Sequence, residues 1–188
     1  GVHTLADFEN VKVQYVDPVY AGLKDGSTLI ELPPNGQGVT AIMMKKLMEY
    51  CNIEKFNAGS YERVHLEAEI AKLAYSARNN FIGDPNFSEI KQNVFLDGSY
   101  LEQLSKEVSL GKLLNDNLQD NFFTRNKDTV LICAADNAGN AISLIFSTFH
   151  AFGSGLCSKK YGLLFHNRGA GFVLKKNHPN ELSGGKRP

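Results

Sequence analysis

Thr129-Val130-Leu131-Ile132-Cys133-Ala134-Ala135-Asp136-Asn137-Ala138-Gly139-Asn140-Ala141-Ile142-Ser143-Leu144-Ile145-Phe146-Ser147 reads as two apolar runs joined by a polar turn. The first run is short and nearly continuous, as expected of a strand buried on both faces. Asp136 through Asn140 supplies a hairpin turn, with Gly139 suited to a positive φ. Residues 141–148 form the returning strand. If Asp136 faces Asn140, counting back along both strands sets Thr129 opposite Ser147, to within about one residue if a bulge intervenes. A hydroxyl that opens one strand then faces a hydroxyl that closes its partner. Two small polar groups at a sheet edge are common and carry no chemistry by themselves.

Working outward, residues 161–166 are expected to form a further strand after the loop Gly153-Ser154-Gly155. On the other side, residues 115–128 are polar and weakly periodic, the composition of an exposed linker where a chain can be cut. Before the linker the period lengthens to that of a helix. Leu66, Ile70, Leu73, Ala74, Ala77 and Phe81 share one face of a helix over Tyr61–Phe81, which Ser60 can cap and Gly83-Asp84-Pro85 ends. Val39, Ile42, Met43, Leu47 and Tyr50 mark another helix. A shorter one is expected over residues 100–108, with Ser99 as its cap. Residues 11–16 alternate apolar and polar like a strand, and residues 27–32 form a second strand candidate. Helices beside buried strands favour a layered arrangement in which helices cover a sheet.

Composition narrows the partners. The 188 residues are 43% hydrophobic, and twenty basic side chains balance twenty acidic ones. No net field draws nucleic acid or an anionic membrane, and the short pairs Lys159-Lys160 and Lys175-Lys176 read as solvated surface. No run approaches the ~18 apolar residues of a membrane span. Cys51, Cys133 and Cys157 lack metal-ligand spacing, so no metal is expected, and Cys51 and Cys133 sit in apolar patterns as packed thiols. The first residue is Gly1 and the last stretch is Ser183-Gly184-Gly185-Lys186-Arg187-Pro188, which reads as a section of a longer polypeptide.

Several motifs occur in a telling order. They are Glu31-Leu32-Pro33-Pro34-Asn35-Gly36-Gln37-Gly38, the helix from His65 through Glu69 and Lys72 to Tyr75, and Gly83-Asp84-Pro85. Asp128-Thr129-Val130, Asp136 through Asn140, and Phe152-Gly153-Ser154-Gly155 follow. Together they resemble the gamma-glutamyltransferase family over most of the chain. That resemblance implies an α+β fold of the four-layer αββα Ntn-hydrolase type, here a partial domain with a helical segment followed by antiparallel strands. Residues 1–128 would be the end of a large-subunit-like region and residues 129–188 the start of a small-subunit-like region. The precursor would cut itself between Asp128 and Thr129, making Thr129 the nucleophile, and Ser147 stands where the family carries a hydroxyl that hydrogen-bonds it. The implied activity is hydrolysis or transfer of gamma-glutamyl amides of the glutathione type, without a cofactor. The implied partners are a small-molecule amide and the remaining parts of the same precursor, as a large/small subunit heterodimer. Family members occur in periplasmic, secreted and cytoplasmic settings, which leaves the compartment open.

The chemistry fits a threonine that begins a chain. A free alcohol is a weak nucleophile at neutral pH. Once exposed, its own α-amino group, with a reference pKa of about 7.7–8.0, can accept the hydroxyl proton.

Departures from the family pattern bear on substrate. His166-Asn167-Arg168-Gly169-Ala170-Gly171-Phe172 replaces a segment of the type Asn-Asn-Gln-Met-Asp-Asp-Phe. Arg168 stands in place of the Gln, Gly171 in place of an Asp that would pair with an ammonium, and Phe149 in place of an Asn. Arg168, Asn167 and Phe149 are therefore candidate substrate-binding residues, and Arg168 could select a dicarboxylic acyl group. The alternatives are an acylase of glutaryl-type amides and a catalytically inactive scaffold. The scaffold stays open because the family's Gly-Gly oxyanion segment falls downstream of these residues and its carboxylate-binding Arg upstream. His65 and His166 are expected to be structural, since this chemistry needs no imidazole.

Overall fold

In the computed structural model, residues 3–88, 92–114 and 129–188 are described. The core forms around helix α2, Gly38–Tyr50, whose Val39, Ile42, Met43 and Leu47 are all buried. Their spacing puts four apolar side chains on one face, and burying each contributes about 1.5–3 kcal/mol. Helix α3, Tyr61–Phe81, lies against α2 through Leu66, Ile70, Ala74 and Ala77. The Ser60 hydroxyl caps α3 by accepting from Arg63 N at 3.4 Å, and Ile82 turns to extended backbone to end it. The expected bounds are those observed, and of the expected face Leu66, Ile70, Ala74 and Ala77 are buried while Phe81 is exposed.

Helix α4, Gly98–Ser105, adds Leu101 to the core. Its cap differs from the expected Ser99. Asp97 takes that place, accepting from Tyr100 N at 3.0 Å, while the Ser99 hydroxyl donates to the same carboxylate. A charged oxygen is favoured over a neutral one at the positive end of a helix. Strands β1, Val19–Gly22, and β2, Thr28–Glu31, form an antiparallel pair against α2. Helix α1, Leu5–Glu9, precedes them.

Residues 11–16 are not a strand. They run without pairing among the described residues, and Tyr15 is 98% exposed. Alternation becomes a strand when a neighbour accepts its backbone bonds, and here the first paired strand starts at Val19. Residues 161–166 also depart from expectation. Gly162 turns at φ 65° and Leu164 meets Cys157 in a single isolated bridge.

The hairpin comprises β3, Thr129–Ala135, and β4, Ala141–Ser147, antiparallel throughout. Its turn is closed by Asp136, whose Oδ1 accepts from Ala138 N and Asn140 N at 2.9 Å and whose Oδ2 accepts from the Asn140 amide at 2.8 Å. Gly139 has the expected positive φ, 85°. One expectation fails: the apolar β3 is exposed along its whole length, Cys133 included. Nothing among the described residues packs across its faces. The architecture is thus α+β, with helices and small antiparallel sheets. The 115–128 linker and Asp128 lie outside the described residues.

Candidate functional site

At the open end of the hairpin, Thr129 pairs with Ser147, the register expected from the turn. The Thr129 hydroxyl donates to Ser147 Oγ at 3.1 Å. That same oxygen accepts from Phe149 N at 2.9 Å. Two donors fix the Ser147 side chain, and it in turn fixes the rotamer of Thr129.

Phe149 directs the chain into this contact with φ 77°, a conformation rare for an aromatic residue. Its ring stacks on His150 at 4.8 Å. Asn167 holds His150 at two points: its Oδ1 accepts from His150 N at 3.0 Å, and its Nδ2 lies 2.9 Å from His150 Nδ1. The Asn167 amide is thus engaged with the chain itself. Arg168, on the short 3-10 turn Arg168–Gly171, points a guanidinium toward Ser147 O at 3.5 Å. The guanidinium also lies 5.3 Å from the centre of the Phe149 ring. An aromatic face beside a carbonyl holds a planar cation while leaving donors for a carboxylate.

At Gly171 a Cβ would meet Phe149 Cζ at 3.4 Å, an ordinary contact, so packing on Phe149 does not require glycine there. At Gly153, φ 53°, a Cβ would collide with the Phe165 carbonyl. His166 accepts from Arg168 N through Nδ1 at 3.2 Å, and His65 Nε2 meets Ser109 O at 3.0 Å. Both histidines hold neighbouring chain. His150, a single imidazole after Phe149, carries no pattern that sequence alone would single out. A shallow concavity lined by Cys133, Ala134, Ala135, Ala141, Ile142 and Ser143 lies at the turn end of the hairpin, away from Thr129. Among the described residues no cluster of His, Cys, Asp and Glu could hold a metal, and no helix is long and apolar enough to cross a membrane.

The signature of the gamma-glutamyltranspeptidase family matches residues 1–188. The chain belongs to the gamma-glutamyltranspeptidase family. It is 30% identical over 184 residues to the glutathione hydrolase-like YwrD proenzyme of Bacillus subtilis, covering 98% of this chain and 34% of that protein. It is 28% identical over 188 residues to the oxamate amidohydrolase proenzyme of Klebsiella pneumoniae, covering 98% of this chain and 34% of that protein. Among solved structures, the cephalosporin acylase from Bacillus halodurans superposes with a TM-score of 0.82 at 27% identity, over 100% of this chain and 33% of that one. This gamma-glutamyltranspeptidase chain therefore spans about a third of the length of the curated relatives it matches.

Proposed function

We propose that this gamma-glutamyltranspeptidase-family chain carries the nucleophile of an amide hydrolase or acyltransferase, exposed by self-cleavage between Asp128 and Thr129. The observation that carries it is the Thr129–Ser147 hydroxyl pair at the mouth of the hairpin, 3.1 Å apart, with Arg168 beside it. In this reading residues 1–128 belong to the large subunit and residues 129–188 begin the small one. The freed α-amino group of Thr129 takes the hydroxyl proton as Oγ1 bonds to the amide carbonyl carbon. That proton passes to the leaving amine as the C–N bond breaks, which leaves an ester on Thr129. Water or a second amine then releases the acyl group. Ser147 holds Thr129 Oγ1 in line.

The test is mass spectrometry of the full-length protein. Two pieces, the second beginning at Thr129, are expected, and Thr129→Ala should abolish both the cut and turnover. A cut elsewhere, or turnover that persists in that variant, would remove Thr129 from the role.

A second reading of substrate has its own support. Arg168 presents a cation where a gamma-glutamyl ammonium would meet repulsion, and the relatives include proteins named as an oxamate amidohydrolase and a cephalosporin acylase. Asn167 and Phe149 would then support the selector. A glutaryl anilide should be preferred over the gamma-glutamyl anilide, and Arg168→Gln should reverse that order. A wild-type preference for the gamma-glutamyl compound sinks the selector role and leaves the nucleophile untouched.

A further inference from the structure

Residues on the two sides of the 115–128 segment meet at one well-defined place. Asp84, in the loop that follows α3, has 1% of its side chain exposed. Its Oδ2 accepts from Arg187 N at 2.9 Å and Arg187 Nε at 3.2 Å, and its Oδ1 accepts from Arg187 Nη2 at 3.1 Å. Asn86 N donates to Oδ1 at 3.1 Å. The pairing is a guanidinium fork with two backbone donors added, on a carboxylate withdrawn from water.

Neighbouring contacts run in register with it. Gly83 lies so close to the Pro179 carbonyl that a Cβ there would collide. The Asn35 amide donates to Pro188 O at 2.5 Å, and a further Arg187 nitrogen donates to Gln14 Oε1 at 3.4 Å. Lys186 Nζ sits 5.7 Å over the Phe87 ring. Residues 179–188 thus lie along the loop after α3 and reach back to the turn before α2.

We infer that Asp84 and Arg187 form a lock that holds the two pieces of the precursor together once the chain is cut before Thr129. The partner this surface fits is the other piece of the same polypeptide, docked by one buried carboxylate in one guanidinium fork. The inference rests on the cleavage reading above. Neutralising the buried carboxylate removes its attraction to Arg187 and turns one acceptor oxygen into an amide that cannot accept, so a single substitution should weaken docking strongly.

The experiment uses matured full-length protein and follows separation of the pieces by native mass spectrometry across a urea series, with intact mass recorded on every sample. Asp84→Asn should raise the dissociation constant of the pieces on the order of 100-fold, and Arg187→Lys, which keeps the charge but loses the fork, about 10-fold. Arg187→Lys alters a half-exposed side chain, so it reports even where Asp84→Asn does not fold. Cut protein whose pieces separate at the wild-type urea concentration in both variants overturns the lock alone. Uncut wild-type protein overturns the cleavage reading and the lock with it.

Discussion

Ser147 carries two donors on one hydroxyl oxygen, from Thr129 Oγ1 and from Phe149 N. Alanine there frees the Thr129 side chain to rotate and takes an acceptor from Phe149 N. Ser147→Ala in the full-length protein is expected to lower kcat about 10-fold with KM little changed, while Ser147→Thr keeps most of the rate. A kcat for the alanine variant within twofold of wild type would show that Thr129 needs no such support. The two-point hold of Asn167 on His150 explains how a phenylalanine at φ 77° persists here.

Helix α3 offers the cleanest measure of what holds the helical part together. Ile70 is fully buried, and Ile70→Ala should cost about 2–5 kcal/mol, read as a lower urea midpoint with an unchanged slope. A loss under 1 kcal/mol would mean the site collapses on the smaller side chain. Both ends of α3 were legible because their signals are local: a serine that caps and a Gly-Asp-Pro stop. The hairpin register was legible too, since a short turn fixes every facing pair. Residues 11–16 misled because pairing depends on a neighbour that periodicity does not name. At α4 two oxygens competed for one cap, and the charged one prevailed. Arg168 stands out in the sequence only by its departure from the family pattern, whereas its seat on Phe149 arises from a backbone conformation that no pattern announces.

Across the whole molecule, the Asp84–Arg187 pair sets a pH dependence. Burial alone would raise the Asp84 carboxyl, but hydrogen bonds and charge from Arg187 overcome this and bring it from 3.8 to about 2. A depressed carboxyl stabilises the fold fully above its unfolded value, and that stability is lost as pH falls through about 2. The contribution is about 2 kcal/mol. Urea midpoints measured between pH 4 and pH 2 should therefore fall less steeply in Asp84→Asn than in the wild type, and parallel curves would contradict it. The exposed hairpin has a different bearing. Val130, Leu131, Ile132, Ile142, Leu144, Ile145 and Phe146 are all more than half exposed, on strands without proline or charge. A ribbon of this composition is a template for intermolecular stacking. These 188 residues expressed alone should accordingly form thioflavin-positive fibres, which a gatekeeper Ile145→Lys suppresses, so the strand that carries Thr129 is also a stretch open to self-association during synthesis.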